Sequence, residues 1–333
     1  MEIHNTKLTS AEIGSLWSNY LGDTMGVCIL QHFMDVVEDE DIQWLIAHAL
    51  DFSQNHIEKV TSMFIDENYV IPRGFTKEDV KRNAPRLFSD TFMLNYIKHM
   101  AKGGLALYGS ILPNMVRKDV RQYFANTLDS SKDLYDESTD LSLKKGVEIR
   151  PPYIPEPKEI EWVDKQRFMA GWFGEQRPLT ATEIMHLYSN IQTNKLGETL
   201  ILGFAQVAQH KKAKNYFSRG KEISKKHINL FSTYLNQNSL PSPMSWDHAV
   251  STSTSPPFSD KLMMYHIGVL NATGIGNYGV AMSLSQRRDI TVNYSRLMVE
   301  IGKLAEDGMN IMINESWMER PPQAADRDEL MNK

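Results

Sequence analysis

Two histidines are the side chains best placed to do chemistry in this chain. His56 lies in a segment whose apolar residues recur every three to four positions, Ile42, Leu45, Ala49, Phe52, His56 and Met63, and His227 lies in a second segment of the same kind. An imidazole on an apolar helical stripe reads in two ways. It is a buried ring held by a hydrogen bond, because an unpaired buried polar group is costly, or a ring kept for ligand binding or proton transfer. An up–down helix pair turning near residue 39 puts Asn19 to Asp23 opposite His56, and the corresponding turn puts Asn190 to Asn194 opposite His227. Asn19 and Asn190 are the candidate partners, so His56, His227, Asn19 and Asn190 form the candidate ligand-binding set. His32, His99, His210 and His266 have no partner histidine at the matching position of the other segment and are weaker candidates.

Other chemistries lack their residues. A di-iron centre in a four-helix bundle needs carboxylates from two helices and Glu-x-x-His from the other two, since i and i+3 share one inward face. No Glu-x-x-His falls on a predicted helix, and Asp51 with His56, or Glu222 with His227, are spaced i, i+5, about 140° apart around a helix. His-Glu-x-x-His is absent. Gly103, Gly104 and Gly109, and Gly274, Gly276 and Gly279, sit inside helical segments and not after a strand, so they read as sites of close helix approach and not as a dinucleotide fingerprint. No catalytic residue, metal ligand set or cofactor is assigned.

The elements that carry these residues occur twice. Leu8-Thr9-Ser10-Ala11-Glu12-Ile13 recurs as Leu179-Thr180-Ala181-Thr182-Glu183-Ile184, 171 residues later, and the same offset pairs Gly26 with Gly197, Phe33 with Phe204, His56 with His227 and Pro72 with Pro243. Beyond Pro72 the offset is 170, pairing Phe88-Ser89-Asp90 with Phe258-Ser259-Asp260, Tyr108 with Tyr278, Arg117 with Arg287, Asp119 with Asp289 and Pro151-Pro152 with Pro321-Pro322. One length change, between Pro72 and Phe88, is what a loop tolerates.

Each copy reads as four helices. Thr9-x-x-Glu12 and Thr180-x-x-Glu183 have the spacing of a capping box and open the first helix, which runs to about Val37 in the first copy. The second helix ends near Asn68. The third begins at Ser89 or Ser259 and runs to about Leu112 or Leu284, and the fourth runs from Arg117 or Arg287 to about Lys144 or Asn314. Period-two alternation is missing. The fold class expected is all-α: two tandem up–down four-helix bundles, ferritin-like, related by an internal repeat. The expected domains are 1–150, a connector 151–178, 179–320 and a polar, extended or frayed tail 321–333. The proline-bearing stretch 68–88 either crosses the bundle or folds over its end. The connector contains Trp162, Phe168, Trp172 and Phe173, too many aromatics for a solvated linker, and is expected to pack against one or both bundles.

Composition narrows the classes further. Among 333 residues, 36 basic and 41 acidic side chains give a net charge of −5, against broad nucleic-acid binding, which needs a basic face. No run of about 18 apolar residues suggests a membrane span, and the N-terminus lacks the pattern of a secretory signal. The lone cysteine, Cys28, excludes an intramolecular disulfide, fits a reducing cytoplasmic compartment and falls on a core stripe. Lys211, Lys212, Lys214, Arg219, Lys221, Lys225 and Lys226 form a basic stretch where the first copy has Glu38, Asp39, Glu40 and Asp41, so opposite charges could help the bundles dock.

The tandem Leu-Thr-x-x-Glu-Ile openings, the histidine of each second helix, Arg-x-Asp at the start of each fourth helix, and Trp317-Met-Glu-Arg-Pro-Pro-Gln followed by Asp326-Arg-Asp resemble the bacterial domain of unknown function 3231 family. The likeness covers nearly the whole chain. The first copy departs from it at its exit, where Gly146-Val-Glu-Ile-Arg-Pro-Pro replaces the tryptophan-containing form. That family is similar to spore-coat-F-like helical proteins, which implies a ferritin-like fold and no established catalytic residue. The reading that follows is a non-enzymatic helical protein acting through an unknown protein partner or self-association, cytoplasmic or spore-associated. The alternative is a ferritin-like protein that binds a small ligand or metal through its inward-facing histidines.

Overall fold

The structure is a computed structural model and describes residues 6–172, 176–243 and 249–332. Phe173 of the connector therefore lies outside the described residues. The first copy forms α1 (Ser10–Val36), α2 (Glu40–Asp66), α3 (Asp90–Ile111) and α4 (Lys118–Lys144), and the second forms α5 (Ala181–Val207), α6 (Lys211–Gln237), α7 (Asp260–Leu284) and α8 (Arg288–Asn314). A short α9 (Arg327–Met331) gives the tail a helical turn that its polarity did not suggest. Among the described residues there is no strand, only two isolated bridges.

Local chemistry fixes the helix starts. Thr9 and Glu12, and Thr180 and Glu183, form complete capping boxes, and Asp39, Ser89 and Ser259 cap α2, α3 and α7 with their side chains. The two capping glutamates also close the bundles. Glu12 accepts from Thr9 N at 2.8 Å and, across the bundle, from Val116 N and Arg117 N at 3.1 and 2.7 Å. Glu183 accepts from Thr180 N at 2.9 Å and from Gln286 N and Arg287 N at 3.1 and 3.0 Å. One buried carboxylate thus serves the free amides at the start of two helices, where the helix dipole also favours negative charge.

Helices pair α1 with α2, α3 with α4, α5 with α6 and α7 with α8, each pair antiparallel through a short turn. The stretch between α2 and α3 crosses the bundle. Asp90, at the start of α3, accepts from Asp39 N at 2.9 Å, so α3 begins at the end where α2 begins and the two run the same way. Asp260 does the same for His210 N in the second copy, at 3.0 Å.

The two crossovers meet. Val80 bridges Phe258 and Phe88 bridges Val250, and the repeat offset of 170 makes each bridge the image of the other. The same symmetry relates Ser89 N to Ala249 O with Ser259 N to Asp79 O, both 2.9 Å. Around this local two-fold axis a single core runs through both copies, with Phe33, Leu87, Phe88 and Phe92 from the first and Leu200, Phe204, Phe258 and Leu262 from the second. Each bundle has a further cluster at its far end, around Leu16, Val60, Phe64 and Phe124, and around Leu187, Ile191, Phe231 and Leu297. Gly203 belongs to the shared region, since a Cβ there would stand 2.6 Å from the Phe88 ring.

Three expectations change. The acidic and basic stretches do not dock the bundles on each other: Asp39 pairs with Lys145 at 2.7 Å and Asp41 with Lys144 at 3.1 Å, while Lys212 pairs with Glu315 at 2.9 Å and Lys226 with Glu300 at 2.7 Å. Fourth-helix neighbours are simply nearer than the other bundle. Among the described residues of the connector, Gly171 lies against Asp289 of the second bundle, a Cβ there standing 2.6 Å from it, and Arg177 covers the Phe168 ring at 4.2 Å, whereas Trp162 and Trp172 are exposed. Of the helical glycines, Gly104 allows close approach, a Cβ there meeting Ser131 Oγ at 2.5 Å, whereas Gly103, Gly109 and Gly276 face open space.

Candidate functional site

In the second bundle His227, from α6, is fully buried and bonded at both nitrogens. Nδ1 lies 3.0 Å from Tyr278 Oη of α7, and Nε2 lies 3.2 Å from Glu300 Oε2 of α8. Asn194 of α5 donates to the same Tyr278 oxygen at 2.7 Å, and Lys226 Nζ reaches Glu300 at 2.7 Å. These partners set the protons. A carboxylate accepts only, so Nε2 carries a hydrogen toward Glu300; the Tyr278 hydroxyl, with Asn194 donating to it, gives its own hydrogen to Nδ1. Burial pushes the His227 pKa down while Glu300 pulls it up, with the net direction downward, so this ring is held neutral.

In the first bundle the same position holds a differently arranged group. His56 Nδ1 lies 3.4 Å from Asp23 Oδ2 of α1, which takes the place of Asn194 in the repeat. Ser130 of α4 takes the place of Glu300. The carboxylate has moved from one end of the imidazole to the other. Burial pushes the Asp23 carboxyl up, and hydrogen bonds from His56, Ser53 and Asn19 oppose that. Tyr108 and Tyr123 flank the group, both raised by burial first and then by the Asp23 charge. Asp23 is the charged neighbour of this ring, but no close hydrogen bond fixes Nδ1, which is buried, and Nε2 lies at the other end of the imidazole from the carboxyl. Nε2 has no hydrogen-bond partner among the described residues. The ring instead lines a cleft of about 270 Å³ between α2 and α4, shared with Asp51, Lys59 and Ser130.

The asparagines bond to tyrosines and not to the histidines. Asn19 Nδ2 donates to Tyr123 Oη at 2.8 Å and to Asp23, and Asn190 Nδ2 donates to Tyr294 Oη at 3.2 Å. Tyrosines complete both groups. Tyr108 and Tyr278 are identical across the repeat, a signal that was available, whereas Tyr123 and Tyr294 differ by one position in the alignment and gave none. Arg117 ties Asp119 and Glu67 together, and the buried Arg287 holds Asp289 at 2.8 Å and Gln176 at 2.9 Å, so both arginines fasten helix ends. Cys28 is buried, its Sγ 3.3 Å from Thr76 O, with its thiol pushed up to about 12 by burial, which keeps it protonated and unreactive. Among the described residues no three His, Cys, Asp or Glu side chains converge on one point, and no helix is long and apolar enough to cross a membrane.

Fold and site together define a tandem four-helix-bundle protein with a polar histidine group in each core, joined through one shared apolar centre. The chain belongs to the family described as Protein of unknown function (DUF3231), whose profile matches residues 1–160 and again 167–330. No curated protein matches it. Among solved structures it is similar to a "putative spore coat protein" from Bacillus halodurans C-125, at 18% identity and a TM-score of 0.41, covering 45% of this chain and 98% of that one.

Proposed function

We propose that this chain works through protein contacts made by its connector, without catalysis. The observation that carries this reading is the exposure of Tyr153 (84%), Ile160 (83%) and Trp162 (87%) on one extended stretch. Each such side chain forgoes about 1.5–3 kcal/mol of burial in the free protein, and contiguous exposed apolar surface marks interaction sites. Pro151, Pro152, Pro155 and Pro157 stiffen the stretch, which lowers the entropy lost on docking. In Glu159-Ile160-Glu161-Trp162 acidic and apolar residues alternate, so an extended strand would turn its apolar side to a partner and its acidic side to water.

The partner is another protein or a second copy of this chain. The long crossover between the second and third helices of each bundle supports a ferritin-like reading of the fold. The family's likeness to spore-coat-F-like proteins supports cytoplasmic synthesis followed by assembly into a spore layer. The test is incorporation of the full chain into that layer in sporulating cells. Wild type is expected to be retained, and the Ile160→Ser, Trp162→Ser variant to be lost from it with unchanged helicity and melting temperature. Equal retention would sink the proposal.

A second reading, small-ligand binding by the first bundle, is favoured by the cleft beside His56. His56 and Asp23 would be its working residues, Asn19 would position Asp23, and Asn190 and His227 would be packing residues of the closed copy.

A further inference from the structure

The two copies present one site in two states. In the second bundle the space beyond His227 Nε2 is filled by the chain itself: the Glu300 carboxylate sits 3.2 Å from the ring and 2.7 Å from Lys226 Nζ. In the first bundle the repeat puts Ser130 where Glu300 stands and Asn55 where Lys226 stands, which removes that ion pair. At that place the cleft opens, with His56, Asn55, Ser130 and Asn126 on its wall. Lys59, on the same face of α2 as Asn55, brings a cation back to the wall. Asp51, the opposing charge there, is engaged by Asn55 Nδ2 at 3.1 Å.

We propose that this cleft binds a small organic carboxylate, which takes the place that Glu300 occupies in the sister bundle. The ligand carboxylate accepts from His56 Nε2–H and from Lys59, with the Asn126 side-chain amide as a further donor, while the Ser130 hydroxyl gives its hydrogen to Asn126 O at 3.0 Å. The ring then stands between two carboxyl groups, the ligand's at Nε2 and that of Asp23 at 3.4 Å from Nδ1. Charge-assisted bonds of this kind are the stronger class, and the cleft volume limits the ligand to a few heavy atoms beyond the carboxylate. This rests on the ligand-binding reading and is independent of the connector.

The test is a titration of the full-length protein with sodium propionate, followed by the ¹⁵N resonances of the histidine rings. Propionamide serves as the uncharged isostere and sodium chloride as the ionic-strength control. A saturable shift of the His56 ring resonances with propionate alone, with His227 unmoved, is expected. Ser130→Glu supplies the missing carboxylate in cis and should weaken propionate binding at least tenfold with no loss of melting temperature. Lys59→Gln, at an exposed position that leaves folding intact, should weaken it by a similar factor. Equal binding of propionamide would overturn the carboxylate assignment and leave a ligand site standing. No saturable shift with either compound, or undiminished binding in Ser130→Glu, would overturn the site as well.

Discussion

Tyr96 Oη and His266 Nε2 stand 3.2 Å apart, and the repeat offset of 170 makes them the same position of the two copies. They meet because the local two-fold axis passes between α3 and α7, so a residue there faces its own image. The tyrosine supplies a hydroxyl donor and the neutral histidine a ring-nitrogen acceptor. Burial drives the His266 pKa down to about 3 and raises that of Tyr96, which keeps the acceptor unprotonated and the donor protonated. Tyr96→Phe should therefore leave a buried acceptor unpaired and cost about 1–3 kcal/mol in urea unfolding. The double variant Tyr96→Phe, His266→Phe should lose less than the sum of the two single losses. Strictly additive losses would show that the pair is not coupled.

The buried histidines make stability depend on pH in one direction. Burial holds His266 at about 3, and His32 and His99 at about 4, against an ordinary 6.5. Each takes up its proton more readily when unfolded, so its contribution is complete above about pH 6.5 and is lost as the pH falls toward 4. Each titrating ring adds a slope of about 1.4 kcal/mol per pH unit in that window. Glu183, pulled down to about 2 by Arg177 and backbone amides against its own burial, adds a further loss below about pH 4.5. Urea midpoints at pH 7.5, 6.5, 5.5 and 4.5 should be level between the first two and then fall steadily; a flat profile to pH 4.5 would contradict the burial of these rings.

The capping glutamates should differ in weight. Both close a capping box and reach across to the fourth helix, but Glu183 also forms a two-toothed pair with Arg177, at 2.8 Å on each oxygen. Glu183→Gln breaks a buried ion pair and should cost about 3 kcal/mol or more, whereas Glu12→Gln weakens hydrogen bonds to neutral amides and should cost about 1–2 kcal/mol. Equilibrium denaturation of the two variants at pH 7 decides the order.

Much of this fold could be read from residue spacing because its signals are local. Thr9 and Glu12 lie three apart and announce the start of α1; Ser89 and Ser259 announce α3 and α7; matched residues 171 and then 170 apart announce two copies. The contacts that govern the site are not local. That Glu12 also serves Arg117 N, 105 residues on, depends on how helices return to one end of the bundle. So does the exchange of Asn194 for Asp23 and of Glu300 for Ser130, which moves a carboxylate around an imidazole; alignment alone shows the substitutions but not that they face one ring. Likewise His32 and His266 have no histidine counterpart because they sit beside the symmetry axis: His32 packs edge-on against Phe258 at 5.3 Å, and its repeat counterpart Gly203 makes room for Phe88.

The same axis predicts what one copy would do alone. Val80 and Phe88 bridge Phe258 and Val250, and the repeat aligns valine with valine and phenylalanine with phenylalanine, so a second first copy offers the partners that the second copy now supplies. A fragment of residues 1–160 would otherwise expose Leu87, Phe88 and Phe92, which are fully buried in the intact chain. It is expected to form a symmetric dimer, with Val80 against Phe88 of the partner on both sides and Tyr96 facing its own copy. Phe88→Asp removes a buried ring worth about 2–3 kcal/mol and places a charge at the junction, so it should give a monomer with weakened cooperativity. Sedimentation equilibrium distinguishes the cases. A wild-type fragment that is monomeric and unfolds with full cooperativity would show that the shared core is not required by either bundle.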